Sequence, residues 1–448
     1  MASRLIVRNG TLVTSAGSRV ADIALAGGVI SEIGGPGSLS GRATPEIDAT
    51  GLHVLPGLID GHVHFREPGL EHEETWLTGT RSAVMGGVTT ILEMPNTLPP
   101  TDIVERARQK RALAEVSAYC DFGLLGLLGP DITAAIELAR SGLIVGLKVF
   151  LGPTTGGLAA PDDDGLREAL RALARTGLRV AFHAEDRAII ELAESELRAA
   201  GRHDALAHLD SRPALAEVTA VDRVGRLLSE THAAGHVLHL SSADGLAAVE
   251  RWRKAGVDLT CETSPHHALL GRDSYALGGI ARVNPPIRGE PHSAALLAAL
   301  SDGRIDCLAS DHAPHLAADK QRYSVWDVPA GFAGVETLLP LLLTEVASGR
   351  LRLERLVHLT SEGPARAWGL WPRKAAVQVG SDADLTLVDL KRAGTIRAAD
   401  LHGKNNLSPF KGSQTRGAPV VTIVRGQIVM RDGDLVGQPG WGRPVIRP

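Results

Sequence analysis

The 448-residue sequence predicts an α/β fold, a TIM-like (β/α)8 barrel carrying a small composite β-sandwich domain built from both termini. Three observations lead there. Eight short apolar runs alternate with helix-period stretches through the middle of the chain, polar residues gather where those runs end, and both flanks read as short alternating strands. A doubly wound open sheet is the competing architecture, but no G-x-G-x-x-G follows the first run.

The eight runs fall at residues 55–64, 87–95, 121–127, 144–150, 178–183, 236–240, 257–262 and 305–310. Each is a short apolar run with a polar or Gly-rich tip, as a buried strand requires. Between them, residues 102–116, 163–176, 243–255 and 335–348 repeat with helical period. Several open on Asp or Ser, whose side-chain oxygens cap free amides, and close at Gly. The flanks, 5–33 and 383–436, carry Gly and Asp-Gly turns such as Asp432-Gly433. Neither flank has enough strands to bury a face alone. The economical arrangement joins residues 1–54 and 375–448 in one β domain beside a barrel of residues 55–374.

Composition narrows the function. With 44% apolar and 22% charged residues the chain can bury a large core, and a net charge of -4 without long runs argues against nucleic acid or an anionic membrane as partner. No apolar run approaches the roughly 20 residues of a membrane span, and the opening lacks the order of a signal peptide. A cytoplasmic protein is expected. Cys120, Cys261 and Cys307 are widely separated and odd in number, so they read as small buried apolar groups rather than a disulfide framework or metal site.

Chemistry concentrates at the ends of the runs. His62 and His64 stand at i,i+2 in Asp60-Gly61-His62-Val63-His64-Phe65-Arg66-Glu67-Pro68-Gly69, a spacing that points both rings to one strand face and lets them converge on a metal. Lys148 follows in run four, His183 ends run five, His239 lies in run six and Asp311 follows run eight. Barrel active sites occupy this face, so the six residues form a binuclear site on paper. Singly, His183 and His239 also fit core histidines, and Asp311 a helix cap. Lys148 is the stranger residue, because a lysine inside an apolar strand must leave the core or lose its charge. An uncharged amine can combine with carbon dioxide, and the resulting carbamate offers two oxygens to bridge two cations. Asp162, Asp163 and Asp164 are a second possible source of a bridging carboxylate, with a solvated helix start as their ordinary role.

Several segments together resemble the cyclic amidohydrolases, and among them the dihydroorotases. They are residues 60–69, Met94-Pro95-Asn96-Thr97, Gly146-Leu147-Lys148-Val149-Phe150, Cys261-Glu262-Thr263-Ser264-Pro265-His266-His267, Asn284-Pro285-Pro286-Ile287-Arg288, Ser310-Asp311-His312-Ala313-Pro314-His315 and Ser408-Pro409-Phe410-Lys411-Gly412. The resemblance spans essentially the whole chain. It implies metal ligation by His62, His64, carboxylated Lys148, His183, His239 and Asp311, and a homo-oligomer. Two divalent ions are expected, zinc first because His and carboxylate ligands suit it, with manganese or cobalt as alternatives.

The substrate follows from the neighbours of the ligands. Dihydroorotate carries a carboxylate beside its cyclic amide, which calls for a planar cationic fork. Arg66, two residues past His64 on the same face, fits that need; its alternative is an ion pair with Glu67 or Glu71. By resemblance, Asn96 and His315 complete the carboxylate pocket and Asn284 contacts the ring, whereas allantoinases and hydantoinases generally lack the arginine. The expected reaction is reversible opening of dihydroorotate to N-carbamoyl-aspartate in pyrimidine biosynthesis, with Asp311 as the catalytic proton carrier. An allantoinase or hydantoinase is the alternative, and a non-catalytic scaffold relative the third. Residues between His315 and Glu336 read as a lid or substrate rim, or a plain connection.

Overall fold

The computed structural model describes residues 4–39, 44–154 and 157–447. Eight parallel strands pair with their neighbours in chain order: Leu58–Val63, Val88–Glu93, Asp121–Leu127, Gly146–Phe150, Arg179–His183, Gly235–Val237, Leu259–Thr263 and Cys307–Leu308. The first and last meet through a parallel bridge between Val63 and His312, and the His64 amide donates to the His312 carbonyl at 2.7 Å. The ring is therefore nearly closed. Buried Asp60 ties the same seam, its Oδ1 accepting from the amides of His62 at 3.2 Å and Ser310 at 3.1 Å.

Residues 55–64, read above as one run, are split between two sheets: His53–Pro56 belongs to the terminal sheet and Leu58–Val63 to the barrel. Gly57 is the crossing point. A Cβ there would lie 2.3 Å from Thr89 Oγ1 and 2.5 Å from Asp384 Cβ, so no side chain fits where the sheets touch. Helices Val104–Ser117, Asp163–Leu173, Ala243–Lys254 and Leu338–Ala347 occupy the expected intervals. Asp162 and Ser242 cap two of them, accepting from the amides of Gly165 at 2.8 Å and Gly245 at 2.9 Å.

Strands from both ends of the chain form one mixed nine-stranded sheet, in which His53–Pro56 lies between Leu5–Thr14 and Leu385–Thr395. Its inward residues, among them Val7, Ile23, Leu25, Leu385 and Ile423, make a core of their own. Lys374 joins sheet to barrel: its buried ammonium meets Asp121, at the start of the third barrel strand, together with Asp382 and Asp384. Inside the barrel, Ile59, Leu92, Leu125, Ala181 and Leu238 pack on Trp368 and Val445 as an apolar layer. The polar side chains collect above it, toward the C-terminal strand ends. No helix among the described residues is long and apolar enough to cross a membrane.

Candidate active site

His62 and Lys148 sit on barrel strands, His183 ends one, and His64, His239 and Asp311 lie just past the ends of the strands Leu58–Val63, Gly235–Val237 and Cys307–Leu308. All six line one cavity, together with Arg66, Asn96 and Asn284. His315 is not in that lining; it stands behind Arg66, its Nε2 3.1 Å from Arg66 Nη2. Three of these residues have left-handed backbone, Arg66 at φ 66°, His239 at 38° and Asp311 at 51°. Such conformations strain a residue with a Cβ and recur where a site over-determines the chain.

The donor atoms converge. His62 Nε2 lies 3.3 Å and His64 Nε2 3.4 Å from Asp311 Oδ1, and Lys148 Nζ lies 3.1 Å from His62 Nε2. On the far side, His183 Nδ1 is 2.9 Å from His239 Nε2. Each imidazole of the first pair is held from behind. His62 Nδ1 is 2.7 Å from Glu262 Oε1, and His64 Nδ1 is 2.7 Å from Asn96 Oδ1. An acceptor at Nδ1 takes the ring proton and leaves Nε2 as the lone pair facing the cavity.

Burial dominates the electrostatics. It lowers the pKa values of His62, His64 and His239 well below the imidazole range, with Lys148 adding to the effect. It also lowers that of Lys148 and raises that of Asp311, each shift opposed by the other group's charge. Glu262 is pushed up to about 8 by the same desolvation, against the pull of Lys148.

Neutral imidazoles, an amine inclined to lose its proton and nearby carboxylates are the donor set of a divalent cation. Two observations test the fit. His239 Nδ1 is buried without a hydrogen-bond partner, and its Nε2 meets His183 Nδ1 at hydrogen-bond distance, so the two ring nitrogens face one point where a cation could take both lone pairs. His62, His64 and Asp311 each offer an atom within 4.8 Å of the others. The residues fit. Asp162, Asp163 and Asp164 do not contribute: Asp162 caps its helix, while Asp163 pairs with Arg223 and Arg226 and Asp164 with Arg167.

Three supporting residues carry no assignment from the sequence. Glu262 holds His62 and also lies 3.2 Å from His236 Nε2. Glu73, rather than Glu67 or Glu71, is the carboxylate beside Arg66, with Oε2 3.2 Å from Nε and Oε1 2.7 Å from His315 Nδ1. Glu67 instead accepts from the Trp76 amide, and Glu71 from that of Gly69. Glu185 lies 3.1 Å from His183 Nε2 and pairs with Arg212. The signal for Glu262 was available, since a carboxylate in an apolar strand is as anomalous as Lys148. Asn96 corrects an expectation in part: its oxygen is committed to His64, which leaves its amide nitrogen for a ligand.

The sequence model of the amidohydrolase family matches residues 53–429. The chain is 40% identical over 451 residues to an allantoinase of Rubrobacter xylanophilus, covering 99% of this chain and 97% of that one. It is 40% identical over 432 residues to a dihydroorotase of Halobacterium salinarum, covering 96% and 97%. Among solved structures, the L-hydantoinase (dihydropyrimidinase) from Arthrobacter aurescens matches with a TM-score of 0.96 and 35% identity, over 100% of both chains.

Proposed function

Because the chain belongs to the amidohydrolase family and is a cyclic amide hydrolase of the dihydroorotase, allantoinase and hydantoinase group, we propose that its substrate is dihydroorotate. The reaction is reversible opening of the ring to N-carbamoyl-aspartate. One observation carries this reading: a buried guanidinium, Arg66, lines the same cavity as the cluster of histidines, Lys148 and Asp311. A carboxylate on the ring is the natural partner of that fork.

The family is generally binuclear and metal-dependent, and His62, His64, Lys148 as its carbamate, His183, His239 and Asp311 would hold two divalent ions, zinc first among them. Such ions, when bound, polarise a carbonyl and lower the pKa of water. The remaining work falls to the chain. Arg66 anchors the ring carboxylate, assisted by the Asn96 amide nitrogen and by His315 through the position it gives Arg66. Asn284, whose buried Oδ1 has no protein partner, meets the ring. Asp311 takes one proton from the attacking water and delivers it to the ring nitrogen as the C–N bond breaks; the water's oxygen and second proton stay on the former carbonyl carbon as a carboxylic acid, which releases that proton to solvent.

One observation favours a second reading. Glu73 stands 3.2 Å from Arg66 Nε and balances part of its charge, which suits an uncharged ring such as allantoin or a hydantoin. Assaying dihydroorotate, allantoin, hydantoin and dihydrouracil side by side separates the two. Dihydroorotate should lead in kcat/KM by about 100-fold or more, the discrimination a site built for a polar group achieves. Preference for allantoin or hydantoin would overturn the assignment.

A further inference from the structure

Lys320 closes the short helix Ala317–Lys320 and is only 2% exposed. Its Nζ donates to three backbone carbonyls, those of Gly331 at 2.8 Å, Pro329 at 2.9 Å and Arg282 at 3.0 Å. Three acceptors engage all three protons of an ammonium, so none remains for a ligand. No carboxylate among the described residues lies within ion-pair distance of it, and burial, then Arg282 and Arg66, push its pKa well down. A buried amine held by carbonyls and without a counter-charge is costly whether it keeps its proton or gives it up. Its retention calls for a reason beyond packing.

The segment it holds divides two spaces. Ala330 lines both the site cavity and an adjoining open pocket, as do Thr154 and Asn284; Gly331 lines the first and Pro329 the second. The Ala330 carbonyl is also 3.0 Å from His315 Nε2, beside Arg66. On its other side the segment is pressed against the chain that follows Asp311: Gly331 has φ 128°, and a Cβ there would lie 2.5 Å from the Ala313 carbonyl oxygen. The Gly331 amide donates to the Arg282 carbonyl at 2.9 Å, and the lysine gathers three carbonyls, those of Arg282, Pro329 and Gly331, on one donor.

We propose that Lys320 is a positioning residue that sets specificity: by anchoring residues 329–331 as a partition, it keeps the inner cavity apart from the outer pocket and restricts the site to rings without bulky substituents. The inference concerns any cyclic amide, so it stands or falls apart from the choice of dihydroorotate.

The test is Lys320→Met in the full chain. Amide hydrogen exchange over residues 325–334 should quicken about tenfold or more, because the three carbonyls lose their common donor. For the cyclic amide that the wild type turns over fastest, KM should rise about tenfold with kcat within about threefold, the mark of lost positioning rather than lost chemistry. Inhibition by 5-benzylhydantoin should tighten about tenfold relative to that by unsubstituted hydantoin as the two spaces merge. Unchanged exchange in a folded variant, or an unchanged inhibitor ratio, would overturn the proposal. Lys320→Gln, which keeps two of the three protons as donors, should fall between wild type and the Met variant; if Met does not fold, Gln carries the same test, and wild-type exchange and inhibitor ratio in it would be the overturning result.

Discussion

Replacing Arg66 by Gln removes the guanidinium from the cavity wall while keeping a polar side chain of comparable reach. A hydrogen bond to a charged group contributes about 1.5–3 kcal/mol, so KM for dihydroorotate should rise about 10- to 150-fold. An uncharged hydantoin makes no such contact, and its KM should move by less than about threefold. A second effect touches both substrates alike. Glu73 loses its 3.2 Å partner but keeps His315 at 2.7 Å, so the loss of stability should lie near or below the low end of the about 3–5 kcal/mol seen when a buried ion pair is broken. Thermal unfolding measures that share, and kinetics at equal concentrations of folded protein measure the rest. Glu73→Gln is the control: it frees Arg66 of its neighbour and should not weaken dihydroorotate. Equal changes in KM for the charged and uncharged rings would refute the idea that Arg66 reads a carboxylate.

Three further outcomes follow from the geometry, each with its own readout. Glu262→Gln weakens the hold on His62 Nδ1 and should lower zinc affinity about 10- to 100-fold in chelator competition, whereas a change under about twofold would show that Glu262 does not orient the ring. Lys374→Met leaves Asp121, Asp382 and Asp384 without their buried counter-charge and should cost about 3–5 kcal/mol in urea unfolding; a neutral result would mean the junction bears no stability. His402, whose Nδ1 lies 2.7 Å from Glu336 Oε1, has its pKa raised first by that hydrogen bond. A raised pKa gives stability that is fully present below the unfolded value of about 6.5 and lost as pH climbs through the folded one, so the wild type's advantage over His402→Gln should be larger at about pH 5.5 than at about pH 9. Equal advantages at both pH values would sink that linkage.

The eight strands were legible because a fully buried parallel strand is apolar on both faces, and the clustered polar residues because each is a titratable group within or just past such a stretch. Lys148 is the plainest case. What stayed hidden depends on contacts that pair distant segments. The division of residues 55–64 at Gly57 appears only when Asp384, from the other end of the chain, is set against it. Which glutamate of the 71–74 turn faces Arg66 follows from the left-handed backbone at Arg66 and from Asn405, whose amide donates to the carbonyls of Glu73 at 2.6 Å and His72 at 3.1 Å. Nothing local in either sequence announces that pairing. The stretch between His315 and Glu336 looked polar and glycine-containing, as a lid would, while the buried lysine that pins its 329–331 segment reads in sequence as one more charged surface residue.

Metal content measured together with activity tests the central claim most directly. The purified chain should carry about two divalent ions, lose cyclic amide hydrolysis when a chelator strips them, and regain it on addition of zinc, manganese or cobalt. Full activity in metal-free protein, or a chain that binds no divalent ion at all, would contradict the convergence of His62, His64, Lys148, His183, His239 and Asp311 on one metal centre.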